Sequence, residues 1–183
     1  MGFFIYINGL PNVGKLTIAK KLWQVVSHHL LIDPVAAVFK KDDPEYQPLA
    51  RALREELLES IATSESTRDV TWIFTDQQPS SELASSIAKD YETAAMIRDS
   101  PFISVILTCE EPEETSTKAN IAVLDTIKEE EGIFHFHNDM EMELDITTLS
   151  PAEASQKVFE HVCRCAKSVE TNGDSDTEAV NGG

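Results

Sequence analysis

Residues 3–17 read FFIYINGLPNVGKLT, and this stretch decides the fold. Its first six residues form an apolar, aromatic and β-branched run of strand length, which predicts a buried strand over residues 3–8. Gly9, Gly14 and Lys15 follow in the spacing G-x-x-x-x-G-K. A helix is expected over residues 14–23, with Ile18, Ala19 and Leu22 on one face. A bound phosphate needs several backbone N–H groups aimed at one point, plus a cation. Glycines let the chain curl around the anion without a side-chain clash. A following helix adds its N-terminal N–H groups and its dipole. Gly9, Asn12, Val13, Gly14, Lys15, Leu16 and Thr17 are therefore the candidate nucleotide-binding residues, with Lys15 reaching the terminal phosphates. The rival reading is a tight strand-to-helix turn that uses glycine for geometry alone. A buried strand before the loop and a helix after it favour the phosphate.

Working outward, residues 24–27 suit a short second strand. Residues 48–62 form an amphipathic helix, with Leu49, Leu53, Leu57 and Ile61 at spacing four. Residues 70–75 (VTWIFT) predict a third strand. Ser80 is expected to cap a helix whose Leu83, Ile87, Tyr91 and Ala94 share a face. Residues 102–108 (FISVILT) predict a fourth strand. Residues 140–146 alternate strictly, with Met140, Met142, Leu144 and Ile146 on one side and Glu141, Glu143 and Asp145 on the other. That pattern predicts a half-exposed strand at a sheet edge. Ser150, Pro151 and Glu153 supply an N-cap, a first-position proline and a capping-box acid for a last helix. Strands alternating with helices predict an α/β domain with a mainly parallel sheet. Ligands of such sheets bind at the carboxyl ends of the strands.

The 183 residues suit one domain over residues 1–167, followed by a disordered acidic tail over residues 168–183. The net charge of −17 argues against nucleic acid and against an anionic membrane as partners. No apolar run reaches the ~18 residues of a membrane span. The three cysteines, Cys109, Cys163 and Cys165, suit idle thiols in a reduced, cytoplasmic protein rather than a disulfide framework.

Leu16 stands where the full motif has the Ser or Thr that holds Mg²⁺, and Thr17 offers a hydroxyl one residue later. Asp76, at the end of an apolar strand, is the candidate metal partner or nucleophile activator. Thr17 and Asp76 thus form the expected metal set, and Lys15, Asp33 and Asp76 the catalytic set. The rival for Asp76 is a turn acid or helix cap. His28, His29 and Asp33 follow the second strand; the rivals to a functional role there are a partly exposed loop pair, His28-His29, and an N-cap at Asp33. Arg51 and Arg54, placed on the polar side of their helix, could clamp an anionic substrate, or pair locally with Glu55 and Glu59. His135 and His137 alternate with Phe134 and Phe136, which suits packing better than a metal pair.

The stretch FIYINGLPNVGKLTIAKKL (residues 4–22) resembles the start of small P-loop kinases of the nucleotide- and small-molecule-kinase type. More narrowly it resembles P-loop proteins whose loop reads GVGKLT. The likeness continues through HHLLIDP (28–34), IFTDQQP (73–79), VILTCEEPEE (105–114) and LDITTLSPAEA (144–154). It implies a three-layer α/β/α domain with five parallel strands, ATP or GTP as ligand, and a phosphate acceptor facing the end of the second strand. The resemblance thereby implies His29 for binding the acceptor and Asp33 for taking its proton. Such kinases place cationic residues on a lid after the fourth strand. Here residues 109–150 carry Glu110, Glu111, Glu113, Glu114, Glu129, Glu130 and Glu131 against Lys118 and Lys128, and no arginine occurs between Arg98 and Arg164. The expected activity is transfer of the γ-phosphate of ATP or GTP, with Mg²⁺, to a small molecule. The rival is a degenerate kinase-like nucleotide-binding module that acts through protein partners with little or no turnover.

Overall fold

The computed structural model describes residues 2–22, 24–110 and 132–175, with side chains to residue 169. The centre is β1 (Phe4–Gly9), buried along its whole length. A strand whose two faces are both covered cannot alternate polar with apolar, hence its continuous apolar run. β1 lies between β3 (Trp72–Thr75) and β4 (Phe102–Thr108), and the sheet order is β2-β3-β1-β4-β5. β2 spans Gln24–Ser27 and β5 spans Met142–Asp145. Every pairing is parallel. The register, with Phe4 beside Trp72 and Phe102, puts the carboxyl ends of all strands on one edge.

Each face of the sheet has its own core. On one, Ile5 and Ile7 meet Ile18 and Ala19 of α1 (Lys15–Ala19) and Ala154, Val158 and Val162 of α5 (Pro151–Ser175). On the other, Phe4 and Tyr6 meet Leu58 and Ile61 of α3 (Tyr46–Thr63) and Ala88 and Tyr91 of α4 (Glu82–Arg98). The Tyr6 ring packs 5.0 Å from that of Tyr91, and Phe4 packs 5.3 Å from Phe74. This is the expected three-layer α/β/α domain with five parallel strands. No helix among the described residues is long and apolar enough to cross a membrane.

Local differences from the sequence expectation have local causes. Residues 28–36 contain α2 (His29–Ala36), with Pro34 inside it. Pro34 removes one helical hydrogen bond. Val35, fully buried against Tyr46 and Ala50, supplies the packing that offsets it. α1 stops at Ala19, short of residue 23, because β2 begins at Gln24. α3 begins two residues early at Tyr46, which leaves Pro48 in the first turn, where no N–H is needed. Its buried stripe is Ala50, Arg54, Leu58 and Ile61, turned one residue from the leucine stripe. Arg54 is therefore not on the polar side. Ser81, not Ser80, caps α4, its Oγ accepting from Ala84 N–H, while the Ser80 N–H and hydroxyl are both turned to the Gly132 carbonyl, at 3.1 and 3.3 Å. Leu83 is 65% exposed. Glu141 turns inward, against its place in the alternation, and its Oε2 accepts from Ser104 Oγ at 2.6 Å and Phe136 N–H at 2.7 Å. Burial alone would raise this carboxyl; hydrogen bonds from Ser104, Phe136 and His135 outweigh it and hold it below its ordinary value. The capping box of α5 forms as expected, through Ser150 N–H to Glu153 at 2.9 Å and Glu153 N–H to Ser150 Oγ at 3.3 Å. α5 continues past residue 167 to Ser175, into the segment assigned to the tail. A docked amphipathic helix propagates at one hydrogen bond per added residue, which composition alone does not show. Residues 176–183 lie outside the described residues, as does most of the acidic stretch after β4 (111–131).

Candidate functional site

The loop after β1 has the backbone its sequence calls for. Asn12 and Gly14 both take the left-handed conformation, at φ 61 and 86. Gly14 is the N-cap of α1 and carries no side-chain cap. The first-turn N–H groups of Lys15, Leu16 and Thr17 have no partner within the helix and are available to an anion. Gly9 is fixed by crowding, since a Cβ there would stand 2.6 Å from the Leu107 carbonyl oxygen. Asn8, fully buried one residue earlier, ties the loop down. Its Oδ1 accepts from Gly9 N–H at 3.0 Å and Gln78 N–H at 2.8 Å. Its Nδ2 donates to the carbonyls of Gln78 at 2.9 Å and Phe134 at 3.3 Å. All four capacities of the amide are used, as burial requires.

Lys15 is 6% exposed and folds back on its own loop. Its Nζ donates to the carbonyls of Gly9 at 2.9 Å and Leu10 at 2.6 Å. Burial pulls its pKa down to about 7, against the opposing charge of Asp76. An anion arriving in the loop would favour the charged form again.

Two cavities open at the carboxyl edge of the sheet. One, of about 290 Å³, is lined by Asn12, Gly14, Lys15, Leu16 and Thr17. The other, of about 320 Å³, lies between α2, α3, α4 and the end of β3. His28 and Gln77 line both, so the cavities adjoin. Asp76, 5% exposed, lines the second. Its Oδ1 accepts from Gln77 N–H at 2.8 Å and Gln78 Nε2 at 2.9 Å. Tyr6 and Tyr91 are held un-ionised, chiefly by burial and then by the Asp76 charge. His28 is kept neutral mainly by burial, and its Nδ1 is buried without a hydrogen-bond partner.

The sequence candidates fall into three groups. Asn12, Gly14, Lys15, Leu16 and Thr17 line the first cavity, with His29 at its rim; Gly9 and Val13 shape the loop from behind, Gly9 through the Lys15 bond and Val13 from the core. Asp76 and Arg54 line the second cavity. Arg54 pairs not with Glu59 but with Asp90 of α4, Nε to Oδ2 at 3.0 Å, because α3 turns it inward. Asp33 and Arg51 line neither cavity. Asp33 is 72% exposed on α2, 3.4 Å from His29. Arg51 is 71% exposed and pairs with Glu55 at 2.6 Å. Thr17 and Asp76 are oxygen donors of the type a hard cation takes. Thr17 lines the first cavity and Asp76 the second, so they do not line one common pocket.

Sequence reading passed over Asn8 and Gln78. Asn8 had a signal: a polar residue inside a fully apolar strand must have its hydrogen bonds met. The sequence offers His28 together with His29 and favours His29; the structure lines both cavities with His28 and leaves His29 at the rim of one.

No protein-family model matches the chain, and no curated protein matches it in sequence. Solved structures do resemble it. A sugar kinase from Janibacter sp. is 12% identical with a TM-score of 0.58, over 88% of this chain and 95% of that one. An APS kinase from Mycobacterium tuberculosis, in complex with AMPPNP and APS, is 15% identical with a TM-score of 0.55, over 88% and 97%. A thymidylate kinase from Candida albicans is 16% identical with a TM-score of 0.54, over 91% and 92%. The chain shares the P-loop kinase-like fold of these structures.

Proposed function

We propose that this protein transfers the γ-phosphate of ATP or GTP to the hydroxyl of a small, uncharged acceptor. The observation that carries this reading is the meeting of the two cavities at His28 and Gln77. One has the loop, the helix N–H groups and Lys15 that suit a polyphosphate. The other has a buried carboxylate, Asp76, that suits an acceptor hydroxyl. Apolar walls from Leu31, Ile32, Ile87 and Tyr91 suit a carbon skeleton. The charge of Arg54 is already met by Asp90, so Arg54 is not free to clamp an anionic group of the acceptor.

On nucleotide binding, Lys15 exchanges its two loop carbonyls for the β- and γ-phosphates. The acceptor oxygen attacks the γ-phosphorus and the bond to the β,γ-bridging oxygen breaks. The acceptor proton passes to Asp76, and ADP or GDP leaves. Thr17 and Asp76 are the residues that would hold Mg²⁺, which would neutralise charge on the phosphates. Neutral His28, through Nδ1, positions the acceptor. Nucleotide, Mg²⁺ and a small-molecule acceptor are thus the partners in this reading.

One observation favours binding without turnover: Leu16, with no hydroxyl, lines the phosphate cavity. The test is incubation with ATP or GTP and Mg²⁺ or Mn²⁺ across a panel of nucleosides, sugars and small alcohols, followed by phosphorus NMR. A phosphomonoester made by the parent and not by Lys15→Ala supports transfer. Nucleotide binding with no product on any acceptor overturns it in favour of the binding module.

A further inference from the structure

A second cluster lies outside both cavities, in the segment that leads into β5. The ligating atoms of His135, His137 and Glu141 all come within 4.8 Å of one another. We propose that these three side chains form a site for one divalent transition-metal ion of the zinc type.

The carboxylate is built in. Glu141 is 10% exposed, and its Oε2 is held by Ser104 Oγ at 2.6 Å and Phe136 N–H at 2.7 Å. That fixes Oε1 toward the histidines. His135 Nδ1 stands 3.1 Å from Oε1. Ligands about 2.0–2.1 Å from a tetrahedral zinc lie about 3.3 Å apart, so this pair already has the spacing of two zinc ligands. His137 takes a positive φ of 55, rare for a residue with a Cβ, and this brings its ring over that of His135 with centroids 5.4 Å apart. His137 is exposed, so its side chain can turn to complete the third contact and leave a fourth position to water. Two imidazoles and a carboxylate suit zinc over magnesium or calcium, which take oxygen alone. The Ser104 and Phe136 bonds are the outer support that orients a ligating carboxylate.

The ion would have a structural consequence. The Phe134 carbonyl in the same segment accepts from Asn8, which also holds the Gly9 N–H. Metal at Glu141 would therefore brace the segment against the back of the phosphate loop, although none of the three ligands lines either cavity.

The experiment is calorimetric titration of tag-free, EDTA-treated protein with zinc chloride at pH 7.5, with thermal melts alongside. The parent is expected to bind one equivalent with a raised melting temperature that EDTA reverses. His135→Ala/His137→Ala, shown to be folded by circular dichroism, should lose that site, and Glu141→Gln should weaken it at least tenfold. Cys163→Ser/Cys165→Ser should bind as the parent does, which separates this cluster from the thiols of α5. Cobalt should give intense visible bands in the parent and not in the double-histidine variant. Equal zinc affinity in parent and double-histidine variant, or no saturable binding by the parent, overturns the proposal. Neither outcome bears on nucleotide binding, so the two readings fail separately.

Discussion

The two cavities at the sheet edge are neighbours made by opposite strategies. The cavity proposed for phosphate is lined on one side by a continuous loop, Asn12 to Thr17, whose lysine is parked on its own carbonyls, and on the other by Ser27, His28, His29, Thr75 and Gln77. The acceptor cavity is assembled from side chains of α2, α3, α4 and the end of β3, with a buried carboxylate and an imidazole nitrogen that has no partner. The first is generic, because backbone groups recognise any phosphate. In the proposed reading the second decides chemistry and selectivity, because each wall is an independent choice of side chain. Substitutions on the two sides should therefore fail differently.

The largest separation is expected from Asp76→Asn. The amide still accepts from Gln77 N–H and Gln78 Nε2, but it cannot take a proton. Transfer should fall by about 10²–10⁴-fold in a steady-state assay, with metal-free nucleotide affinity within about threefold of the parent. Loss of metal-free nucleotide binding in this variant would break the division between the cavities. Lys15→Ala should do the reverse. A charge-assisted contact of about 1.5–3 kcal/mol translates to about 10–150-fold weaker ATP in a titration. Its melting temperature should not fall at neutral pH, because a lysine held at about 7 by burial is a poorly solvated charge.

How far each side could be read from the amino acids follows from the same contrast. Nine consecutive residues carry the Gly9–Thr17 loop, so its spacing, with the apolar strand before it and the helix after it, marks it in the sequence. β4 matches its expected bounds because a buried strand is a short apolar run with sharp ends, and the short edge strand β2 falls where it was expected. The acceptor side depends on rotations of one residue. Arg54 is inward because α3 turns Ala50, Arg54 and Leu58 to the core, and a leucine count at spacing four does not resolve that turn. Ser81 caps α4 while Ser80 is turned to Gly132, far away in sequence. His28 and His29 differ only in which side of a helix start they occupy, and packing of Val35 places that helix. Long-range contacts decide these cases, and they leave no local trace.

Arg54→Ala should have a middle-sized effect, and on stability first. It leaves Asp90, 32% exposed, without its partner, for a loss of about 1–3 kcal/mol read in a denaturant melt. Unchanged stability would return Arg54 to the role of a substrate clamp. Leu16→Thr should have the smallest effect. Restoring a hydroxyl to the phosphate cavity should strengthen Mg²⁺-dependent ATP binding by about three- to tenfold and leave metal-free binding alone. An equal gain in both conditions would show that the residue acts through packing.

The central claim is that Lys15 leaves its loop carbonyls for the phosphates of a nucleotide, and proton linkage tests it most directly. In the free protein its pKa is about 7, so at pH 8.5 it is mostly neutral. Bound to phosphate it is charged, with a pKa raised toward the ordinary 10.5. Binding must then take up a proton, and affinity must fall as pH rises above about 7. ATP titrated at pH 8.5 in buffers of different ionisation enthalpy should show uptake approaching one proton per nucleotide in the parent and none in Lys15→Ala. No uptake by the parent, or equal uptake by both proteins, would contradict the account.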